Sequence, residues 1–460
     1  MAMMAPVLAG MLLCFKGAGR FKEERGKAVS NLVWGGILFT LALGTQVALN
    51  HIQITFYTAI AGIIMGIVYA LYSLKGKYFP RFLLAVGVLV LGVLLALACN
   101  TRHLFANQEY MQYTMRGGTE ITVTPQDLYG PDFPKNNNTN DKGLDINYAF
   151  SWSYGIGETY TLLVPGARGG GSIEPVSKES SSYANFHREK MPLYWGNQPF
   201  TSGPVYFGAI VIFLFLFGMI VVKGPERWWI LIATILAILL SWGKNFMGFT
   251  NFFLDYLPGY DKFRAVSMTL VIAEVTMPLL GFLGLAEIAK SPENFKKNLN
   301  KFWIALGVTA GFCLLFFIAP KLFFSFLSEG EAQQFSQLMA GQDGAVYSAF
   351  ASSLENVRVA IFRKDAIRSF IFIVLSAIPI FLYGKGKLKA TPAFIILAVL
   401  VVIDMFPIDK RYLNNDNFIS KKLADRPFTA TKADKYILQD SGPDFRVVNL
   451  TKDVFNDAST

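Results

Sequence analysis

The sequence has few charged residues, few cysteines and few histidines for its length. Of its 460 residues, 16% are charged, three are Cys and three are His. Soluble domains carry about 25% charged residues, so this composition argues against an ordinary soluble protein. Three cysteines are too few for a disulfide scaffold. Cys14, Cys99 and Cys313 lie in or beside apolar segments and are interpreted as small hydrophobic residues.

Motifs for metals, dinucleotides and phosphate loops are also missing. His51, His103 and His187 are far apart, and neither HExxH nor CxxC occurs, which argues against a zinc site. The run 155–157 lacks the third glycine of a dinucleotide-binding turn, and the glycines 169–171 are not followed by Lys-Ser or Lys-Thr. Both runs are interpreted as turns. No cofactor is evident, and a divalent metal is left open.

Long apolar segments dominate what the sequence does contain. Hydrophobic residues make up 53% of the chain, including 41 Phe. A helix that crosses a bilayer needs about 17 to 25 mostly apolar residues. We therefore predict an all-α polytopic membrane protein with about ten transmembrane helices, near residues 2–15, 30–49, 52–74, 82–99, 205–222, 228–242, 265–289, 302–319, 367–383 and 392–407.

Lysine and arginine concentrate in alternate short turns, which are predicted to face the cytoplasm. This pattern accounts for most of the net charge of +10 and gives no reason to expect nucleic acid as a partner. One cluster conflicts with the alternation, because Arg358, Arg363, Lys364 and Arg368 precede the ninth span on the predicted outer side.

The predicted organisation has six parts. They are transmembrane helices 1–4 in residues 1–99, an irregular extracytoplasmic loop region in 100–204, helices 5–8 in 205–319, an extracytoplasmic segment with one or two amphipathic helices in 320–366, helices 9–10 in 367–407, and an extracytoplasmic C-terminal part in 408–460. Short strands are expected at 120–124 and 445–450. The lone terminal strand and the early first span suggest an internal piece of a longer protein, with the last part the start of a truncated domain.

Two ionisable residues lie within predicted spans. Charge at membrane depth is costly, so Glu274 should face protein, and Asp404 should lie about one turn from the outer end of its span. Each is interpreted either as a buried hydrogen-bonded helix contact or as part of a polar cavity that opens outward.

Three cations in one predicted outer loop, Lys244, Lys262 and Arg264, form the first candidate site. Arginine binds phosphate through two bonds, and cations at the membrane interface suit the phosphate of a lipid head group. The alternative is simple anchoring at the interface, with Asp255 and Asp261 pairing with these cations.

A second outer cluster combines aromatic rings with amides and a carboxylate, in residues 153–160 and 194–204. Apolar stacking and directional hydrogen bonds are typical of sugar-binding sites. A packed loop at the membrane interface would have the same composition.

Several of these stretches resemble the YfhO family of bacterial polytopic membrane proteins. The resemblance extends through nearly the whole chain and is carried by residues 194–208, 240–245, 258–267, 154–159 and 455–460. It implies a fold related to the GT-C glycosyltransferases, with an extracytoplasmic active site and a sugar donor carried on polyprenyl phosphate. It also implies location in the bacterial inner membrane, with the large loops extracytoplasmic.

Under this resemblance we predict sugar transfer to a cell-surface glycan or lipid. The cations would bind the donor phosphate, and Glu158 is a weak candidate for an acid or base. Tyr160, Trp195 and Gln198 would line the sugar or acceptor pocket. The catalytic acidic residue of the superfamily lies in a loop that this chain is expected to lack. Alternatives are a transporter or flippase of lipid-linked glycans and a structural envelope-assembly protein; membrane lipids are expected partners, and the oligomeric state is left open.

Overall fold

A computed structural model of the protein describes residues 2–114, 144–176, 190–290, 292–425, 429–439 and 442. This part of the chain is mostly helical. Its only strands are the two-residue β1 (Glu174–Pro175) and β2 (Lys190–Met191), which pair in an antiparallel manner. The predicted strands at 120–124 and 445–450 lie outside the described residues.

The helices follow the apolar pattern of the sequence. The first group is α1 (Met4–Arg20), α2 (Arg25–Ala48), α3 (Ile52–Lys75), α4 (Phe79–Cys99), α5 (Thr101–Gln112) and the single turn α6 (Ile146–Ala149). The second group is α7 (Ala209–Val221), α8 (Pro225–Ser241), α9 (Met247–Tyr256), α10 (Leu270–Ala289), α11 (Pro292–Lys297) and α12 (Leu299–Ile318). The third group is α13 (Pro320–Phe323), α14 (Glu329–Met339), α15 (Gly344–Gly384), α16 (Ala390–Tyr412), α17 (Lys421–Ala424) and α18 (Lys432–Ile437).

Each of the ten predicted spans overlaps one of these helices, but fewer than ten of the helices are long and apolar enough to cross a membrane. Among the described residues, seven helices are long and apolar enough to cross a membrane, or eight if the bent pair α8 and α9 forms one span. The all-α polytopic architecture is therefore confirmed, and the count of ten stays a prediction.

Exposed aliphatic side chains support the same architecture. Leu41 on α2, Leu91 on α4 and Val402 on α16 are all more than half exposed. An apolar surface of this kind, spread over several long helices, suits contact with lipid chains. The described chain thus defines a polytopic α-helical membrane protein.

Helix α15 is longer than the sequence pattern predicted. Its 41 residues join the expected ninth span to part of the segment expected to lie on the surface as an amphipathic helix. Only α14 is a separate helix there. The upstream part of α15 packs into the protein, since Leu354, Val357 and Arg358 are all buried.

Helix α7 is shorter than its predicted span of 205–222. It has 13 residues, which rise about 20 Å, and a bilayer core is about 30 Å thick. Residues 205–207 before it are extended, and their backbone bonds to protein: the Thr161 hydroxyl donates to the Val205 carbonyl, and Phe207 N–H donates to the Leu162 carbonyl. Irregular backbone near a membrane is tolerated when protein satisfies it in this way.

Close helix packing depends on glycine at the α7–α10 contact. A Cβ at Gly284 would lie 2.8 Å from the Cα of Gly218, and a Cβ at Gly218 would collide with the carbonyl of Leu280. Small residues allow backbones to approach in membrane helices, where dispersion replaces much of the hydrophobic driving force. This contact fixes α7 although the helix is short.

The chain divides into a unit of residues 1–408 and a unit of residues 409–460. In the second unit the described residues form short helices, α17 and α18, and a 3₁₀ turn at Asn415–Asn417. The Thr431 side chain caps α18 by accepting a hydrogen bond from Asp434 N–H. The candidate site belongs to the first unit.

Candidate functional site

Three chain segments, residues 144–170, 190–208 and 242–267, fold against one another and are called the loop assembly below. They contain both predicted clusters. Helices α8 and α9 enter it through a bend of 107°, with the 3₁₀ turn Gly243–Phe246 at the corner. Gly243 has φ of +44°, and a Cβ there would collide with the Ser153 hydroxyl, so this corner requires glycine.

The carboxylate of Glu158 is the buried polar centre of the loop assembly, with 2% of its surface exposed. One oxygen, Oε2, accepts bonds from the backbone N–H of Gly155 at 2.5 Å and of Asn197 at 3.2 Å. The other oxygen accepts from the Tyr194 hydroxyl at 2.6 Å and from Gln198 Nε2 at 3.2 Å. Because four donors already occupy both oxygens, Glu158 orients its neighbours rather than having a free oxygen for proton abstraction.

A small polar cavity adjoins this carboxylate. Tyr154 and Thr161 share a short hydroxyl hydrogen bond in its wall, and burial raises the pKa of Tyr154 well above its usual value. Burial also raises the pKa of Tyr194, and the charge of Glu158 adds to that effect. The cavity is about the size of one water molecule and is lined by Tyr154, Glu158, Thr161, Arg168, Gly169, Gly170, Tyr194, Gln198, Thr201, Gly203, Pro204 and Val205.

Arg168 brings a positive charge to the same cavity. It is half-buried, with its guanidinium 5.9 Å above the ring of Phe324 and 3.4 Å from the carbonyl of Ser325. Burial lowers the pKa of Arg168, and the nearby carboxylate of Glu158 acts in the opposite direction. Sequence reasoning missed this residue, because the glycine run after it was interpreted only as a turn.

The two predicted clusters meet through asparagine side chains. Asn245 Nδ2 donates to the Tyr154 carbonyl at 2.9 Å, and Asn197 Nδ2 donates to Asn245 Oδ1 at 2.9 Å. The Trp242 indole donates to the Thr159 hydroxyl at 2.9 Å. The Gly243–Phe246 turn is therefore bonded directly to the loops that hold Glu158.

The predicted phosphate-binding cations lie along the segment 144–153. The guanidinium of Arg264 bonds to the Tyr148 hydroxyl and lies 5.9 Å from the centre of the Trp152 ring. The backbone N–H of Lys244 donates to Ser153 Oγ at 2.9 Å. Both side chains are exposed. The structure therefore brings the backbone of Lys244 and the guanidinium of Arg264 against adjacent residues of one segment.

Lys262 belongs to the same region but has an acidic neighbour. Its Nζ lies 3.4 Å from Asp261 Oδ2, as the anchoring interpretation expected for this pair. The Asp261 carbonyl in turn accepts the N–H of Leu144 at 3.2 Å. Of the three cations, Lys244 and Arg264 make no ion pair with an acidic side chain in the described part of the chain.

Two of the predicted pocket residues lie elsewhere. Trp195 is buried, with 3% exposed; its indole donates to the Ser325 carbonyl at 3.1 Å and its ring lies 5.1 Å from the guanidinium carbon of Arg358. It fills a packed interior and offers no open stacking face. Tyr160 is exposed and packs edge-on against Phe316 and Phe324, away from the cavity. Gln198 does line the cavity.

The expectation that Glu274 faces protein is wrong. Glu274 is exposed, on a stripe of α10 that continues through the exposed Phe282. Moreover, α10 begins at Leu270, after a 3₁₀ turn at Val266–Thr269, so Glu274 lies in the second turn of the α-helix. Glu274 therefore does not form part of a buried polar cavity.

Asp404 is fully buried and hydrogen-bonded, in agreement with the helix-contact interpretation. It lies two turns from the end of α16, and it accepts from Arg368 Nη1 at 2.9 Å, from the Tyr206 hydroxyl at 2.7 Å and from Ala209 N–H at 2.9 Å. Ala209 is the first residue of α7, so the carboxylate satisfies a helix N-terminus. Gly208 before it has φ of +100°.

The conflicting basic cluster contains two structural ion pairs. Arg368 neutralises Asp404, and Arg358 binds both oxygens of Glu331 at 2.7 and 2.8 Å. The charges therefore need not obey the topology rule, because acidic side chains compensate them inside the protein. Arg363 differs, with one bond to the Ile318 carbonyl at 3.3 Å.

Fold and site together define a polytopic α-helical membrane protein with a polar loop assembly at one end of its helices. Comparison with family models, with curated proteins and with solved structures gave no match. The YfhO resemblance therefore stays a prediction. Among the described residues, no group of three or more His, Cys, Asp or Glu side chains lies together in a way that could hold a metal ion.

Proposed function

We propose that the protein transfers a sugar from a polyprenyl-phosphate donor to a cell-surface glycan or lipid, at the outer face of the bacterial inner membrane. The observation that carries this proposal is the pair of exposed cations, Lys244 and Arg264, which have no acidic partner in the described chain. Lys244 precedes Asn245, which donates to the Tyr154 carbonyl of the Glu158 loops, and Arg264 bonds to the Tyr148 hydroxyl of the same segment. The proposal adopts the ten-span, GT-C-like topology with the loop assembly outside.

The phosphate of the donor would bind to Arg264 and Lys244. The acceptor hydroxyl attacks the anomeric carbon, the bond from this carbon to the phosphate oxygen breaks, and polyprenyl phosphate leaves with an added negative charge. Cations fixed beside the leaving group stabilise that charge. The acceptor hydroxyl loses its proton to the solvent, because both oxygens of Glu158 are occupied and no residue of the loop assembly is assigned as a base.

The position of α9 supports delivery of a lipid-linked donor. The helix turns by 107° from α8, and the side chains of Phe246 just before it and of Phe252 and Tyr256 on it are exposed. Aromatic side chains favour the membrane interface, where their rings lie at head-group level. A donor anchored in the same leaflet would meet Lys244 and Arg264 beside this helix.

The test compares membranes from cells with and without the full-length gene. Nucleotide sugars carrying radioactive glucose, N-acetylglucosamine or mannose label the polyprenyl phosphate pool, and the movement of label from lipid extract to polymer is followed alongside the surface glycan profile. We expect the deletion to abolish one transfer and to deplete one surface sugar. Arg264→Ala should weaken the same transfer about ten- to hundredfold, whereas Arg102→Ala, at an exposed arginine on α5, should behave like wild type.

A flippase would give a different result. The deletion would deplete the surface sugar, yet transfer would persist once detergent made both membrane faces accessible. Unchanged glycans and unchanged transfer in the deletion strain would contradict the proposed function.

A further inference from the structure

A second cationic site lies at the opposite ends of the helices, where α1 ends and α4 begins. Arg81 is in the first turn of α4 and is half-buried, and its guanidinium lies 5.6 Å from the centre of the Phe21 ring just after α1. Phe82, next to Arg81, stacks on Phe15 at 5.2 Å. These aromatic contacts hold the guanidinium in place.

The charge of Arg81 has no acidic partner in the part of the chain that the structure describes. Its Nη1 is buried without a hydrogen-bond partner. Glu226, an acidic residue at the same helix ends, is engaged elsewhere: its Oε1 lies 3.1 Å from Lys16 Nζ and accepts from the Tyr69 hydroxyl at 3.1 Å. A half-buried guanidinium without a counter-charge is energetically costly, which favours binding of an anion to it.

The surroundings are also basic. Three segments at this end of the helices, 16–27, 75–81 and 223–227, carry ten basic residues against three acidic ones, Glu23, Glu24 and Glu226. Because α4 has the length and apolarity of a span, its first turn lies near the level of lipid phosphates. Arginine matches a phosphate through two parallel N–H bonds.

We propose that Arg81 forms a binding site for a phosphate-type anion. Two sources share this chemistry: the head group of an anionic phospholipid and a phosphoryl group in solution. The site is independent of the proposed sugar transfer, which uses the loop assembly at the other end of the helices. Failure of one proposal would leave the other unaffected.

The test measures thermal unfolding of the purified full-length protein in phosphatidylcholine bilayers. Phosphatidylglycerol is titrated into the bilayer in one arm, and inorganic phosphate is added to the solution in the other. Stabilisation by phosphatidylglycerol alone would identify a lipid head group, and equal stabilisation by inorganic phosphate would identify a soluble phosphoryl group. Arg81→Ala should raise the half-saturating concentration of the stabilising additive about tenfold or more.

Matched variants keep the result interpretable. Arg20→Ala removes an exposed arginine at the same helix ends and should leave the titration unchanged. Arg81→Lys keeps the charge but loses the planar edge, so it should restore only part of the effect, and it serves as the informative variant if Arg81→Ala does not fold. The proposal would be overturned if neither additive stabilised wild type specifically and if wild type, Arg81→Lys and Arg20→Ala gave equal titrations.

Discussion

Arg358 binds both oxygens of Glu331 while its own side chain is fully buried. It also donates to the carbonyls of Phe326 at 2.9 Å and Pro192 at 2.7 Å. One guanidinium therefore joins three parts of the chain: α14, α15 and the loop that leads to Tyr194. The loop assembly is held against α15 by this residue.

Arg358→Ala should destabilise the protein strongly. The substitution removes the donor of the Glu331 carboxylate and of three carbonyls, those of Phe326, Pro192 and Tyr194. Breaking a buried pair of this kind costs about 3 to 5 kcal/mol. Lys321→Ala is the control, because it removes a more exposed pair with Glu355, worth about 0 to 1 kcal/mol. Thermal unfolding in one detergent measures both variants; equal stability losses would contradict the buried-pair account.

The same pair predicts a dependence of stability on pH. Burial alone would raise the pKa of Glu331, but the hydrogen bonds and charge of Arg358, helped by Ser328, hold it below its ordinary value of 4.5. A lowered native pKa stabilises the fold at pH values above the ordinary value, and this stabilisation is lost as the pH falls through the native value. Glu331→Gln should flatten the acid limb of a plot of melting temperature against pH; an unchanged limb would assign it to other groups.

Arg264 should be more important for donor binding than for folding. Arg264→Ala is expected to weaken transfer about ten- to hundredfold, the effect of losing a hydrogen bond to a charged group. Arg264→Lys should recover only part of the activity. Simple anchoring predicts instead that Lys replaces Arg fully and that Ala lowers stability and activity together. Transfer rates and melting temperatures of the two variants distinguish these outcomes.

The predicted orientation can be tested with single cysteines. In a background without Cys14, Cys99 and Cys313, cysteine at Lys22, Lys77 or Lys387 should resist an impermeant thiol reagent in intact cells, and cysteine at Gly341 should react. If cysteine at Lys387 reacted while cysteines at Lys22 and Lys77 did not, the predicted orientation of the last two spans would be wrong. Detergent-permeabilised cells provide the control for intrinsic reactivity.

The contact between α7 and α10 predicts a large effect of one added side chain. Gly284→Val must push α10 away from Gly218, and overpacking of this kind costs about 1 to 3 kcal/mol. Gly307→Val on α12 is the matched control, because a Cβ there meets nothing within 4 Å. Melting temperatures that fall equally in both variants would show that general helix propensity, rather than this contact, causes the loss.

The sequence predicted where the helices lie because helix periodicity and apolar length are local signals. It did not predict that α15 is continuous, because Arg358 and Arg368 interrupt the apolar run. Their acidic partners are 27 and 36 residues away, and only the folded chain shows that the charges are compensated.

Only the part of the candidate site that depends on local signals was predicted. The exposed cations Lys244 and Arg264 follow from loop composition and topology. The burial of Trp195 against Arg358 does not, since an aromatic residue in a polar loop has the same local pattern whether it binds a ligand or fills the interior. Likewise, the four donors around Glu158 come from two chain segments about 40 residues apart.

Helix α15 is about 60 Å long, roughly twice the thickness of a bilayer core. It binds the loop assembly at two levels, since Arg358 donates to the Pro192 carbonyl and the Ser369 hydroxyl donates to the Leu163 carbonyl. These two residues are eleven positions, or about 16 Å, apart along the helix. A tilt of α15 would therefore carry the loops with it as one body, because a segment bonded at two separate points cannot pivot about either of them.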